Sequence, residues 1–342
     1  MDNDVLFRRE GSIGRITLNR PKALNALNLE MCAAMLRQLR EWAIDPATRA
    51  AVIDAAPGRA FCAGGDLRDI YEWGRKSDPR AARYFTTEYR LNAAIRHFAK
   101  PYVALIDGIA MGGGAGVSIH GSFRVVSENA LFAMPETAIG LFPDIGASYF
   151  LSHLPGEIGM YLALTGLRIT PADMVYAGLA THFVPAAQHP EILARLSGGE
   201  SPADILEGLA AELGEAPMSR LRPAIDRAFA KDSVKAILAA LTGEGEWGRE
   251  TIAILESRSP TSLELTFRQI RRGAALDFDD CMRMEYRLTT RLLAGHDFYE
   301  GVRAAIIDKD LKPRWQPDRL DAVKPDDIER HFESLGEEEL SL

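Results

Sequence analysis

Cysteine is scarce in this 342-residue chain: Cys32, Cys62 and Cys281 are odd in number and stand far apart. They cannot form a disulfide framework, and no Cys-x-x-Cys pair offers a metal its thiolates, so a reducing compartment is expected. A surplus of positive charge is also missing. Lys and Arg total 40 against 48 Asp and Glu, a net charge of −8. The chain lacks the basic face that displaces counterions from phosphate, and no nucleic-acid partner is expected. Long apolar runs are absent too. The strongest stretch, residues 102–120, is interrupted by Asp107 and by glycines, whereas a membrane span needs about 20 apolar residues in succession. No membrane partner is expected. Met1-Asp2-Asn3-Asp4 is acidic and resembles neither a signal peptide nor a transit peptide, which points to a cytoplasmic protein.

What is present describes a globular chain, 47% apolar and 26% charged, long enough for one large domain or two. Val5-Leu6-Phe7, a polar turn through Gly11 and the run 13–18 predict a hairpin. Asn28 caps a predicted helix whose apolar positions Met31, Cys32, Met35, Leu36, Leu39 and Trp42 recur at helical spacing, ending before Pro46. Ala51-Val52-Ile53, 102–106, 123–126 and 130–133 read as strands, with helices at 66–73 and about 79–98 between them. The glycine-rich run 108–116 leads into a helix ending near Gly121. Strands alternating with helices make an α/β sheet with crossover connections. From Gly146 onward the pattern is almost wholly helical. The expected organisation is an α/β core over residues 1–190, with a helical C-terminal region over 191–342 packed on it.

Common catalytic signatures are missing: there is no Gly-x-x-x-x-Gly-Lys-Ser/Thr, no Gly-x-Ser-x-Gly and no His-Glu-x-x-His. A dinucleotide loop at 112–116 fails because the third glycine of that fingerprint falls on Val117. Two glycine-rich loops remain, Phe61-Cys62-Ala63-Gly64-Gly65-Asp66 and 111–116, each after a predicted strand. Such turns leave backbone N–H groups free at a helix start, where they attract negative charge. One N–H from each loop could hold a reacting carbonyl oxygen; equally, both loops could be tight turns serving packing. Glu136 and Asp144 lie in an apolar segment, 134–146, that Gly140 and Pro143 prevent from being a single helix. Apolar surroundings disfavour the carboxylate and raise its pKa toward the useful acid–base range. Asp144 also suits a helix cap. Asp66, Asp69 and Glu72 read as first-turn acids of a helix, not metal ligands, and no metal site is expected. Helical patterning alone places Glu88 on the surface, and His120 and His153 read as structural.

At these loops the chain resembles the crotonase superfamily, the enoyl-CoA hydratase/isomerase fold. The carrying residues are Asn19-Arg20-Pro21-Lys22-Ala23-Leu24-Asn25-Ala26-Leu27, Arg59 to Leu67, Lys100-Pro101, Asp107 to Gly116 and Pro135-Glu136. Within it, residues 111–118, 132–146, Ser259-Pro260-Thr261-Ser262-Leu263, Glu285-Tyr286-Arg287-Leu288 and 297–315 resemble the 3-hydroxyisobutyryl-CoA hydrolases. The fold implied is the crotonase-like (ClpP/crotonase) spiral of ββα units with a helical C-terminal region. The resemblance implies that the N–H groups of Gly65 and Gly113 form an oxyanion hole, where one donor is worth about 2.7–4 kcal/mol. It implies catalytic roles for Glu136 and Asp144 and substrate contact by Glu88, Gly113, Glu136 and Asp144, against the surface reading of Glu88. It further implies that Lys22, Ala23, Leu24, Ala63 and Gly64 hold coenzyme A, with Lys22 beside a phosphate.

One departure bears on the reaction. Hydratases of this fold carry a first glutamate where this chain has Gly116. The resemblance therefore implies hydrolysis of 3-hydroxyisobutyryl-CoA to the free acid and CoA, as in valine breakdown, with no cofactor because CoA is part of the substrate. An enoyl-CoA isomerase or hydratase and a non-catalytic CoA-binding protein are the alternatives. The only partner implied besides the acyl-CoA is a second copy of the chain, since many members of the superfamily form homo-oligomers.

Overall fold

The computed structural model describes residues 4–342 and opens on the expected hairpin. Strands β1 (Val5–Glu10) and β2 (Ile13–Leu18) pair antiparallel, with Val5 opposite Leu18. After helix α1 (Leu29–Ile44), capped by Asn28 Oδ1 accepting the Met31 N–H at 2.8 Å, β3 (Ala50–Ala55) pairs parallel to β2. Strands β5 (Tyr102–Ile106), β7 (Phe123–Val126) and β9 (His182–Phe183) extend a six-stranded sheet in the order β1-β2-β3-β5-β7-β9. Parallel strands joined by crossovers are covered on both faces, which is why they read as continuous apolar runs. On one face Ile13, Val52, Val103, Leu105 and Val125 form a buried cluster with Ile192, Leu196, Ile205 and Leu206 from two later helices. Each such buried side chain is worth roughly 1.5–3 kcal/mol.

Three short strands make a second, wholly parallel sheet, β4-β6-β8: β4 (Ala60–Cys62), β6 (Ile109–Met111) and β8 (Leu131–Ala133). Each follows a strand of the larger sheet, β4 after β3, β6 after β5 and β8 after β7, and each is followed by helical structure. This is the expected spiral of ββα units. Sequence patterning does not separate β4 and β6, which run directly into the glycine-rich loops at 61–66 and 108–116, although the equally short β8 is read at 130–133. The helix expected to end near Gly121 is a single turn, α4 (Gly113–Gly116). Helices α2 (Leu67–Arg75) and α3 (Arg80–Arg96) come between β4 and β5 in the chain.

The nine strands among the described residues all belong to one compact unit, made of the residues up to Asp66, Arg90–Ala133 and Arg168–Ser219. The other unit, Leu67–Tyr89, Met134–Leu167 and Arg220–Leu342, is helical. No strand follows Phe183 among the described residues, so the pattern does become helical toward the C-terminus. The compact units, however, do not divide at residue 190. Composition tracks the type of element, whereas contacts decide which elements belong together, and 134–167 packs with residues beyond 220. Within that unit Ser259 and Asp277 cap helices Pro260–Gly273 and Phe278–Leu292, accepting the N–H groups of Ser262 and Asp280. Gly140 adopts a left-handed φ of 70°, and a Cβ there would collide with the carbonyl of Asp297. Only glycine fits.

Gly114 is under a similar constraint in the first unit, where a Cβ would strike the carbonyl oxygen of Cys62 at the end of β4. Gly114→Ala is expected to destabilise the protein by about 1–3 kcal/mol, the usual cost of overpacking. Urea unfolding checks this; an unchanged midpoint would show that the two glycine loops can separate at little cost.

Candidate active site

In the first unit the glycine turns lie side by side because β4 and β6 are parallel neighbours and leave the sheet in the same direction. Leu27 N–H donates to the Gly64 carbonyl at 2.8 Å, and Asp66 N–H donates to the Leu27 carbonyl at 2.8 Å. These two bonds make a parallel bridge of Leu27 with Gly65, in which the N–H of Gly65 itself faces away from Leu27. Gly113 begins α4, where a first-turn N–H has no intrahelical acceptor. A Cβ placed on Gly64 would sit 3.7 Å from the Gly113 nitrogen. The structure thus brings the two loops together and leaves one outward N–H in each.

The residues assigned to coenzyme A gather at the same loops. Lys22 and Ala23 belong to the 3-10 turn Pro21–Ala23, and Leu24 follows with a left-handed φ of 53°. Its carbonyl accepts the Ala63 N–H at 3.0 Å. Lys22 is exposed on this turn. Asn25, fully buried, fixes it from beneath: Oδ1 accepts the Arg20 N–H at 2.7 Å and Nδ2 donates to the Ala60 carbonyl at 2.9 Å. Arg20 in turn pairs with Asp66 at 2.7 Å, so that acid serves an ion pair. Among the described residues no group of three or more His, Cys, Asp or Glu is arranged to hold a metal.

The second unit buries a set of carboxyl groups. Glu136 opens the 3-10 turn Glu136–Ile139, which Gly140 terminates. Asp144 does not cap a helix with its side chain: helix Ala147–Phe150 follows Gly146 with no side-chain cap, and Asp144 contributes only its carbonyl, accepting the Ala147 N–H. Its carboxylate is engaged elsewhere, with Oδ2 accepting the Tyr89 hydroxyl at 2.8 Å. The helix-cap reading of this side chain is therefore corrected. Glu88 is buried, not on the surface, and its Oε1 accepts the Tyr84 hydroxyl at 3.0 Å. The surface reading fails because a helix enclosed by neighbours loses the solvent face that amphipathic patterning assumes.

Burial pushes the Glu88 carboxyl up, and the charge of Asp144 pushes it further. Glu136 is raised well above its ordinary value by burial, then by Asp144 and Glu88, and its Oε2 has no hydrogen-bond partner. Asp144 is raised by burial, opposed by the Tyr89 hydrogen bond. Glu285 is pushed up to about 8 by burial, although it accepts the Gly146 N–H at 2.7 Å and the Ser148 N–H and hydroxyl at 2.8 and 2.6 Å. Like charges held this close cannot all ionise at neutral pH. The cluster can therefore hold, take up and return protons.

Sequence reasoning missed Tyr84, Tyr89 and Thr289, and named Asn25 and Glu285 only within segments that carry the resemblance, with no role. Tyr84 and Glu88 are four residues apart on α3, a helical pairing that spacing could have suggested. Glu285 and Thr289 share the same spacing, but the Tyr89 and Gly146 groups they meet lie far away in the chain and left no local signal.

A family model described as enoyl-CoA hydratase/isomerase matches residues 13–332. A protein from Xenopus tropicalis described as 3-hydroxyisobutyryl-CoA hydrolase, mitochondrial, is 46% identical over 352 residues, covering 100% of this chain and 91% of that protein. The human protein of the same description is 44% identical, covering 99% and 91%. Among solved structures, a carnitinyl-CoA dehydratase from Mycobacterium thermoresistibile matches with a TM-score of 0.94 and 38% identity over 99% of both chains. An enoyl-CoA hydratase from Rhodobacter sphaeroides matches with a TM-score of 0.93 and 39% identity over 99% of this chain and 100% of that one. With its ββα spiral and glycine turns, the chain belongs to the enoyl-CoA hydratase/isomerase family, the crotonase superfamily.

Proposed function

We propose that the chain hydrolyses 3-hydroxyisobutyryl-CoA, yielding 3-hydroxyisobutyrate and CoA in valine breakdown. The observation that carries this reading is the buried set Glu88, Glu136 and Asp144 in a chain whose position 116 holds glycine. Adding water across a double bond calls for a carboxyl group at 116; hydrolysing a thioester calls for acids that activate water and release a thiol. The 44–46% identity to relatives named for this hydrolysis supports the same choice.

In the proposed reaction water adds to the thioester carbonyl, and the N–H groups of Gly65 and Gly113 stabilise the charge that develops on its oxygen. One buried acid takes the water's proton, the carbon–sulfur bond breaks, and a proton is returned to the thiolate. Water and thioester are the only reactants, and the proposed reaction calls on no redox or group-transfer cofactor. A negatively charged protein must hold polyanionic CoA locally, and Lys22 with the backbone of the turns at 22–24 and 63–64 is assigned that task; the N–H groups of Ala23, Leu24 and Ala63 are engaged within those turns, so Lys22 supplies the charge. Assembly as a homo-oligomer is part of the proposal, on the habit of the superfamily alone. The vertebrate relatives are described as mitochondrial, so a cytoplasmic location receives no support from them; no described helix is long and apolar enough to cross a membrane.

A second reading is favoured by the descriptions of the two solved structures, a dehydratase and a hydratase. It would alter a double bond and release no thiol. Purified protein is expected to release CoA from 3-hydroxyisobutyryl-CoA in a thiol-trapping assay. No release above background overturns the hydrolase reading. Glu136→Gln and Asp144→Asn are each expected to lower turnover at least about 100-fold; a near-normal rate in either removes that acid from the mechanism.

The buried acids also leave a mark on stability. Unfolded, Glu88 ionises near 4.5; folded, it keeps its proton to higher pH. The folded state then binds the extra proton, so this group's contribution to stability falls as pH rises from about 4.5 through neutrality, by at most about 1.4 kcal/mol per unit. Glu88→Gln is expected to gain thermal stability relative to the parent over that range. A constant difference between the two would show that Glu88 ionises normally in the fold.

A further inference from the structure

A chain of hydroxyl groups ends on Asp144. Tyr89 is fully buried; its hydroxyl lies 2.8 Å from Asp144 Oδ2 and 2.7 Å from Thr289 Oγ1. A phenol carries one proton and a carboxylate none, so ionised Asp144 fixes the directions: Thr289 donates to Tyr89, and Tyr89 donates to Asp144. With a proton on Asp144 Oδ2 the directions reverse, Asp144 donating to Tyr89 and Tyr89 to Thr289. Only hydroxyl hydrogens rotate, and no group in the chain loses its partner in either state. Glu136 has no equivalent, since its Oε2 is unpartnered. Burial, together with the charges of Asp144 and Glu285, holds the Tyr89 proton far above the ordinary phenol range, so it remains a donor.

The surrounding structure fixes this chain in place. The Tyr89 ring meets Phe85 edge-on at 6.1 Å and Tyr286 at 6.3 Å, which leaves it little rotational freedom. Thr289 stands one helical turn after Glu285, which clamps Gly146 and Ser148 just beyond Asp144. One face of helix Phe278–Leu292 therefore holds both the turn that carries Asp144 and the hydroxyl that supports its partner. The titratable groups facing Asp144 are Glu88 and Tyr89 from α3, Glu136 from its own segment and Glu285 from Phe278–Leu292.

We propose that Tyr89 and Thr289 are positioning residues that hold Asp144 in one orientation and satisfy it both as an anion and as an acid, making Asp144 the group that takes and returns the proton. This rests on the thioester-hydrolase reading, and the test separates the two. Tyr89→Phe keeps the ring and removes the donor. It is expected to lower kcat about 10- to 100-fold, the worth of one hydrogen bond to a charged group, with a smaller change in KM. Losing a donor to the ionised form should also raise the Asp144 titration, by about one unit. That titration is read by carboxyl carbon NMR, with the Asp144 signal identified by its absence from Asp144→Asn, and needs no turnover. Thr289→Val should show the same changes at smaller size, and Thr289→Ser should restore the parent values. In an Asp144→Asn background, Tyr89→Phe should cost little more. An unmoved Asp144 titration in folded Tyr89→Phe, or a full further loss in the Asp144→Asn background, overturns the proposal. Should Tyr89→Phe fail to fold, Thr289→Val decides the same question by the same titration. A parent protein that releases no CoA overturns the hydrolase reading alone, and the titration still decides the hydroxyl chain.

Discussion

Burying a carboxyl group costs free energy unless donors surround it or a proton neutralises it, and the helical unit is built around that constraint. Glu88, Glu136, Asp144 and Glu285 are all buried there. The surrounding helices supply what makes this tolerable: phenols from Tyr84 and Tyr89, two backbone amides and a hydroxyl to Glu285. What the donors do not offset is met by protonation, which is why each of these acids is held above its usual range. A site that must move protons near neutral pH needs such groups.

The strand-bearing unit meets a different demand with backbone alone. Two parallel strands of three residues, β4 and β6, end side by side, and each chain then turns at glycine. A side chain at Gly114 would strike the Cys62 carbonyl and push the two turns apart. In the proposed reaction the N–H groups of Gly65 and Gly113, just beyond the ends of β4 and β6, would need no reorganisation when charge develops. The proposed reading asks little of the net charge: the contacts assigned to the polyanionic ligand are two backbone turns and the exposed Lys22, not a basic surface.

Much of this was legible in the residues. The polar turn through Gly11 marked the hairpin, a short apolar run gave β3, helical spacing gave α1 with its Asn28 cap, and family motifs pointed to Gly65, Gly113, Glu136 and Asp144. Glu88 shows where local pattern fails. Its neighbours on α3 alternate as on a surface helix, yet the side chain is 3% exposed, because burial is set by what packs against the helix. The compact units likewise ignore the change of composition near residue 190, since segments distant in sequence share one core.

The sequence by itself determined the alternation of strands with helices, the glycine turns and the identity of the acids, because these rest on short-range spacing and on residue chemistry; the ββα order came from the family resemblance. Only the tertiary structure decided what each acid does electrostatically. The carboxyl of Asp144 could have capped a helix; it instead accepts from Tyr89, 55 residues away, which Thr289 supports from 200 residues beyond Tyr89. No local pattern encodes such a chain, because hydrogen bonds between distant segments exist only once packing has brought them within reach.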